Sequence, residues 1–407
     1  MKLVHAADLH VDSPMLGLSR YEGAPVERLR GATRRAFEGL VELCLRERAR
    51  FLVLAGDVFD DDWRDMNTGL WFLKALGRLR EVGTDVVLVR GNHDFQLTAA
   101  LAWPPYLHEL SREGESLRFE REGVVFHGAS FPSRHVRESL LPRYCHALQG
   151  LCNVGVLHTN ATASREHGDY APCTVEDLLD KGYDYFALGH VHRRAVLHRA
   201  PWVVYPGNLQ GRQFREDGPK GIMLVEIDEA RVSSARFVDT SVVRWFDRRI
   251  TLGTDDDLDA LLARAREELR AAAAASEGRL AAIRLSIEGA CAAHAAVIDR
   301  GGWIVDQIRA DATELDDAVF LGEVRLDTAP AATIEALRAA QGLVAELLRE
   351  IERLRADEVD LAAHASALAP IAAKAGDVVD VDDPAFVARV LDAAEALLAQ
   401  RLTEGEG

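Results

Sequence analysis

The sequence is bounded first by what it lacks. No apolar run approaches the ~18 residues of a membrane span. The N-terminus has no secretory pattern: it enters the strand-like run Lys2-Leu3-Val4-His5 at once, and cleavage there would remove the polar residues behind it. The cytoplasm is therefore the expected compartment. Cysteine is sparse, and Cys44, Cys145, Cys152, Cys173 and Cys291 make no CxxC pair and no zinc spacing. An odd count without an export signal points to reduced thiols, mostly packing residues. Lysine is far outnumbered by arginine, which reads as genome composition. No internal repeat is visible, and no low-complexity tract beyond Ala271–Ala275.

What is present is ordinary for globular protein, 48% hydrophobic and 28% charged, in a length of 407 residues that suits two or three domains. The net charge of −17 is unevenly placed. Residues 1–245 hold 31 Lys+Arg against 33 Asp+Glu, and residues 246–407 hold 17 against 32. The acidity belongs to the C-terminal part, so it does not exclude a polyanionic substrate at the N-terminal part. It argues against strong nucleic-acid binding by the isolated chain, because Lys and Arg supply most of that affinity.

Residues 1–95 alternate strand and helix, with helices around Val26–Glu47 and Met66–Val82; this implies parallel strands joined by right-handed crossovers. Short strands follow at Leu117–Phe119 and Val124–Phe126. Then come a strand to His158, a helix around Val175–Leu179, a strand to Gly189, and strands near Ala195–Leu197, Trp202–Tyr205, Ile222–Ile227 and Arg231–Phe237. So many strands suggest a second sheet packed on the first with helices outside. Composition shifts around Ser241–Leu252. A helix from Asp255 to about Ala275, a strand at Leu280–Ile287, a helix around His294–Ala310 and a strand at Val319–Leu326 form a small αβ domain. Pro330 opens an amphipathic helix, and Pro384–Leu402 forms another; these either pack back on the protein or dock a partner.

Five strand-like runs end in polar turns. They are Ala7-Asp8-Leu9-His10, Gly56-Asp57, Gly91-Asn92-His93-Asp94, His158, and Gly189-His190-Val191-His192. Sheets that alternate with helices bind ligands at the carboxyl ends of their strands. Each turn alone is weak: an Asp-x-His pair is more often a turn than a ligand pair, and a lone strand-end histidine usually sits satisfied in a core. Together they describe one polar cluster. Asp8, His10, Asp57, Asn92, His158, His190 and His192 offer more mixed N and O donors than one tetrahedral zinc needs, and suit two adjacent first-row ions with Asp57 shared. Such a pair clamps the attacking and leaving oxygens of an in-line displacement. His93, beside Asn92, is left to act as general acid or to stabilise developing charge. Asp94 either orients His93 or caps the turn. His5, His108, His127, His146, His167 and His294 lack such a setting and read as structural or surface residues.

These five motifs, as a set, resemble the calcineurin-like metallophosphoesterase superfamily. Within it the chain is most similar to DNA repair exonucleases of the SbcD and YhaO type. The opening His5–Pro14 and the run Tyr205-Pro206-Gly207-Asn208-Leu209-Gln210-Gly211-Arg212, with Gly218–Gly221 behind it, resemble the YhaO branch. The resemblance implies a four-layer αββα sandwich over residues 1–245, a small αβ capping domain over 246–329, and a helical tail over 330–407. It implies that Asp8, His10, Asp57 and His192 hold one ion, that Asp57, Asn92, His158 and His190 hold the other, and that His93 is catalytic. It further implies manganese as the metal, DNA as the substrate, and an SMC-like ATPase of the SbcC or YhaN kind as the partner that the tail docks. A second copy of the chain is a further candidate partner; a membrane is not. The run Val58–Arg64 lacks the Arg-Gly of protein serine/threonine phosphatases, and lacks a histidine that some nuclease relatives carry there.

Arg20, Arg64, Arg134, Arg193, Arg194, Arg212 and Arg215 are candidate phosphate contacts, with Arg64, Arg193 and Arg212 foremost, and Trp63, Phe131 and Phe214 are candidate stacking residues. Each is equally readable as surface, core or rim. The expected activity is a manganese-dependent DNA exonuclease, 3′ to 5′, with single-strand endonuclease activity as an addition. The alternatives are a small-molecule phosphodiesterase or nucleotidase on the same scaffold, and a metal-binding scaffold without turnover.

Overall fold

The computed structural model describes residues 1–15, 24–60, 66–96, 103–161, 170–315, 319–331 and 343–356. The chain folds as two compact units, neither contiguous in sequence. The first comprises Met1–Asp247, Ala271–Arg284 and Leu315–Glu323; the second comprises Arg248–Arg270, Leu285–Glu314 and Val324–Gly407.

The first unit is built on two six-stranded sheets. One contains β1 (Lys2–Ala6), β2 (Phe51–Ala55), β3 (Asp85–Val89), β4 (Leu107–Glu109), β11 (Gly221–Asp228) and β12 (Arg231–Asp239), in the order β12-β11-β1-β2-β3-β4. The other contains β5 (Glu115–Phe119), β6 (Val124–Gly128), β7 (Cys152–His158), β8 (Tyr185–Gly189), β9 (Ala195–Arg199) and β10 (Trp202–Tyr205), in the order β5-β6-β7-β8-β10-β9. The strands that carry the five polar turns are parallel within their sheets, as the alternation with helices requires. Their side chains are mostly apolar on both faces because both faces are covered. Leu3, Phe51, Val53, Val87, Phe126, Val154, Val156 and Tyr185 fill the space between the sheets, while Val4, Leu52, Leu54, Val86 and Leu88 pack under the helices.

Those helices are α1 (Val26–Arg30), α2 (Ala32–Glu47) and α3 (Met66–Gly77). Gly31 divides the first expected helix in two, and a 3-10 turn, Arg78–Val82, finishes the second. The outer cover of the second sheet is thinner. It consists of a 3-10 turn at Leu141–Arg143, irregular chain, and the five-residue α4 (Val175–Leu179), whose start is fixed by a capping box between Thr174 and Asp177. Two packed sheets, one covered by helices and the other by mostly irregular chain among the described residues, match the expected sandwich in their layering.

The shift in composition around Ser241 turns out to be a strand, β13 (Val243–Thr251). It joins β14 (Leu280–Cys291) and β15 (Val319–Pro330) in a three-stranded sheet of order β13-β14-β15. The helices α5 (Leu258–Ala275) and α6 (His294–Thr313) lie between these strands in sequence. α6 kinks at Arg300, just before the Gly301-Gly302 pair. Pro330 is the last residue of β15, an edge strand of its sheet, where proline is tolerated. Residues 332–342 of the expected amphipathic helix lie outside the described residues; its later part is α7 (Leu343–Ala356), which buries Ala345, Leu348 and Ile351. The second expected tail helix, Pro384–Leu402, lies outside the described residues. No described helix is long and apolar enough to cross a membrane.

Candidate metal centre

The register sets the strand ends level. Ala6 pairs with Leu54, Ala55 with Val89, and His158 with Gly189, so the five turns leave the two sheets at one edge. The backbone there is forced into an unusual shape. Asp8, His10, Asp57 and His190 have φ of 51°, 44°, 50° and 98°, a left-handed region that non-glycine residues seldom occupy and that clusters at functional sites. Glycines make the room. A Cβ on Gly91 would stand 2.2 Å from Asp57 Oδ1, and one on Gly189 would stand 1.9 Å from the Ala55 carbonyl oxygen.

All seven expected donors are brought together. Asp57 Oδ2 lies 3.3 Å from His158 Nε2 and 4.0 Å from His10 Nε2, between two groups of donors. On one side His10 Nε2 and His192 Nε2 are 3.2 Å apart, with Asp8 Oδ1 3.8 Å from His192 Nε2. On the other, Asn92 Oδ1 is 3.0 Å from His158 Nε2 and 3.3 Å from His190 Nδ1. Asp8, His10, Asp57, Asn92 and His158 are buried. The His93 side chain, 36% exposed, stands at the rim, its ring 5.1 Å from that of His10. The His93 backbone N–H donates to Asp57 Oδ1 at 2.9 Å.

The hydrogen-bond pattern tests whether this set suits cations. His10 Nδ1 donates to Asp60, His192 Nδ1 to Glu216 Oε1 at 2.8 Å, and His158 Nδ1 to the Ala55 carbonyl at 3.0 Å. Each acceptor fixes the ring proton on Nδ1, which leaves a bare Nε2 in the neutral ring. Those bare nitrogens face each other, or face Asp57 and Asn92 oxygens. Lone pair opposed to lone pair is repulsive unless a cation, or an added proton, lies between them. Burial and the Arg212 charge both disfavour protonated His10. Burial would also lower His158, but the Asp57 carboxylate overrides it and raises the ring to about 9 in the metal-free chain. Asp57 itself is held well below the usual carboxylate range: burial opposes this, and His158 and His10 prevail. The donor set therefore fits two divalent ions that share Asp57.

The residues behind these candidate ligands were only partly legible. Asp60 holds His10 and lies 3.4 Å from Arg212 Nη1. Asp94, whose role the sequence left open, caps the turn: its oxygens accept from Gly91 N at 2.6 Å and Val58 N at 2.8 Å, tying two site loops together. Burial and the nearby Asp57 push Asp94 up to about 7. Glu216 escaped sequence reading altogether, since it sits in the polar run Arg215-Glu216-Asp217 with no periodicity to mark it. It is 6% exposed, and besides His192 it accepts from Asn208 Nδ2 at 2.9 Å and Arg212 N at 2.7 Å. Burial would raise its carboxyl, but the His192 contact outweighs that and holds it at about 2. A Glu216→Gln change must turn its amide N–H2 either toward His192 Nδ1 or toward Asn208 and Arg212, all donors. The expected result is a ~10–100-fold loss of metal affinity together with a lower melting temperature of the metal-free chain, because buried donors lose their acceptor. Manganese titration followed by thermal shift checks both.

The cationic candidates divide. Arg193 and Arg194 are exposed immediately after His192, with Arg194 over the Phe237 ring at 4.3 Å. Arg212 is committed to Asp60, to Ser13 Oγ at 3.1 Å and to Glu216 at 3.8 Å. Arg134 and Arg215 are exposed, and Arg20, Arg64 and Trp63 lie outside the described residues. Phe131 and Phe214 are 0% and 3% exposed, packed edge-on to His158 and Trp245, so neither presents a face for stacking a base. His5 is a neutral core residue, bonded to Tyr185 and the Leu188 carbonyl, and burial lowers it to about 3.

Comparison with known proteins agrees with this geometry. Residues 1–194 match the calcineurin-like phosphoesterase family, and residues 245–329 match the middle domain of the metallophosphoesterase YhaO. The chain is 35% identical to the uncharacterized metallophosphoesterase YhaO of Bacillus subtilis, over 57% of this chain and 59% of that one. It is 26% identical to the DNA double-strand break repair protein Mre11 of Methanopyrus kandleri, over 60% and 57%, and 27% identical to that of Haloferax volcanii, over 65% and 58%. It thus spans somewhat under two thirds of the length of these relatives. The chain carries a calcineurin-like metallophosphoesterase domain over residues 1–194, followed by a YhaO-type middle domain over residues 245–329.

Proposed function

We propose that the chain is a divalent-metal-dependent phosphodiesterase that degrades DNA from its 3′ ends, using two manganese ions. The observation that carries the hydrolytic reading is Asp57, a buried carboxylate set between two groups of imidazoles whose bare nitrogens point inward. Asp8, His10, Asp57 and His192 would hold one ion, and Asp57, Asn92, His158 and His190 the other. Only two of the seven donors are carboxylates, so two divalent cations leave the cluster with an excess of positive charge, which suits a phosphodiester. Bound ions supply charge stabilisation to the phosphoryl oxygens and acidify the attacking water.

The chain's own residues do the rest. Asp60, Glu216 and the Ala55 carbonyl hold three rings in the tautomer that turns Nε2 inward. The Asp94 cap and the His93 N–H bond to Asp57 fix the loop that carries His93. From the rim, the imidazole passes a proton to the oxygen that leaves phosphorus, so the P–O bond breaks to an alcohol instead of an alkoxide. DNA as substrate is supported by similarity to Mre11 proteins, whose names place them in double-strand break repair. An SMC-like ATPase is the partner this reading assigns to the tail, where α7 presents an amphipathic helix.

The test is degradation of 3′- and 5′-labelled single- and double-stranded DNA by the purified chain, with manganese and with chelator. Stepwise loss of the 3′ label that requires manganese is expected. Hydrolysis of bis-p-nitrophenyl phosphate without any DNA degradation, even with the ATPase added, would overturn the DNA reading and leave a small-molecule phosphodiesterase.

A further inference from the structure

On the outer face of the second sheet, four side chains meet that no part of the metal centre uses. Phe126 and Val124 of β6 point into the core between the sheets, so the alternation of the strand turns His127 to the other side. The antiparallel register sets Ser116 of the edge strand β5 directly opposite it. Asn153 comes from β7, and Cys145 follows the 3-10 turn at Leu141–Arg143. His127 is wholly buried, stacked on Tyr183 at 4.4 Å, while Ser116 and Cys145 are exposed. Gly155 allows this stack: a Cβ there would lie 2.7 Å from Phe186 and 2.9 Å from Tyr183. Tyr183 in turn anchors the thiol's own residue by donating to the Cys145 carbonyl.

The hydrogen bonds fix the direction of the imidazole. Asn153 Nδ2 donates to the carbonyls of Leu148 at 3.0 Å and Leu151 at 2.8 Å, which uses both its hydrogens. Its Oδ1 accepts from Leu148 N at 2.7 Å and faces His127 Nε2 at 3.0 Å. Nε2 must therefore carry the ring proton. Burial lowers the pKa of His127 and keeps the ring neutral. The bare Nδ1 then lies 2.8 Å from Ser116 Oγ and 3.4 Å from Cys145 Sγ, and those two side chains are 3.3 Å apart. A thiol, a neutral imidazole and an amide that orients it are the parts of a base-activated nucleophile.

We propose that Cys145 is a reactive thiol, activated by the His127 that Asn153 holds in place, and that it exchanges with low-molecular-weight disulfides to carry a reversible mixed disulfide. The Cys145 proton passes to His127 Nδ1, directly or across Ser116 Oγ. The sulfur attacks one sulfur of the disulfide, whose S–S bond breaks. The departing thiolate takes the proton from Nδ1 and leaves as a thiol, so one disulfide is consumed and one thiol released. The other cysteines offer a contrast. Cys44, Cys152 and Cys291 are buried, and burial pushes Cys44 and Cys152 up to about 12 and Cys173 to about 11.

The full chain, reduced and freed of reductant, is incubated with oxidised glutathione at pH 7, and each cysteine is followed by peptide mass spectrometry. Cys145 is expected to form its mixed disulfide at least ~10-fold faster than the same cysteine in the urea-unfolded chain, and ahead of Cys173. A His127→Phe variant keeps a ring on Tyr183 but has no base; its Cys145 rate should fall to the unfolded value and rise steeply with pH. Its fold is checked by circular dichroism. The proposal fails if Cys145 in the folded wild-type chain reacts no faster than in urea. It also fails if a folded His127→Phe chain reacts at the wild-type rate.

Discussion

An Asp57→Asn chain is expected to lose metal-dependent phosphodiester hydrolysis by ~10³-fold or more, with metal binding weakened at both positions. The substitution preserves shape, so the loss isolates charge. Asp57 is 2% exposed, and its Oδ2 stands within 4.0 Å of both His10 Nε2 and His158 Nε2, so each ion would lose the same carboxylate. A deficit of ~4 kcal/mol in charge stabilisation corresponds to that rate factor. The metal-free protein offers an independent check. Asp57 raises His158 to about 9, above the ordinary value of 6.5. A group raised on folding stabilises fully below its unfolded pKa, and that contribution disappears as pH climbs through the folded one. Chelator-treated wild type should therefore lose melting temperature between about pH 6.5 and 9, and Asp57→Asn should lack this dependence. Equal turnover by the variant, or metal content that stays at two ions, would remove Asp57 from the bridging position.

Much of this site could be read from sequence because parallel strands deliver their ligands at their ends. A short apolar run followed by Asp-x-His or Gly-His-x-His marks both the strand and the turn. The register then does the assembly, and five independent runs are enough to bring seven donors to one edge. The layers were legible for a similar reason, since Phe51 and Val53 on one face of β2 and Leu52 and Leu54 on the other demand cover on both sides. Boundaries were less so. Gly31 splits one helix, and Pro330 ends a strand where a helix was expected, because proline suits the terminus of either element.

What was not legible is whatever depends on contact across long sequence separations. Glu216 reaches His192 across 24 residues and sits in no pattern; Asp60 fits a Gly-Asp-x-x-Asp run, but nothing in that run marks its reach to His10 across 50 residues. Phe131 and Phe214 looked available on loops, yet loops that cross a core edge bury their aromatics like any other apolar group. Cys145 shows the opposite error. Among thiols read as mostly packing residues it is the exposed one, and the histidine beside it is the buried one. The pairing of His127 with Ser116 depends on the register of β5 against β6, which the sequence marks only as two short strands.

His93→Gln is expected to lower kcat on DNA by ~10²–10⁴-fold, the range for losing a positioned proton donor, while metal content and KM stay near wild type. The ring is not among the donors that would hold the ions. Its backbone N–H bonds Asp57 Oδ1, so a side-chain change leaves that contact in place. Two roles remain for the imidazole, and the leaving group separates them. An alkoxide from DNA needs a proton, whereas p-nitrophenolate does not. If His93 protonates the leaving oxygen, the variant should be far less impaired on bis-p-nitrophenyl phosphate than on DNA. If its charge stabilises the phosphoryl oxygens, both substrates should suffer alike, because that charge develops whatever the leaving group. The Asp60 carboxylate, 3.8 Å from His93 Nδ1 and shared with His10, bears on the orientation of the ring and is compatible with either role. A variant that keeps wild-type kcat on DNA would exclude both and reduce His93 to a rim residue.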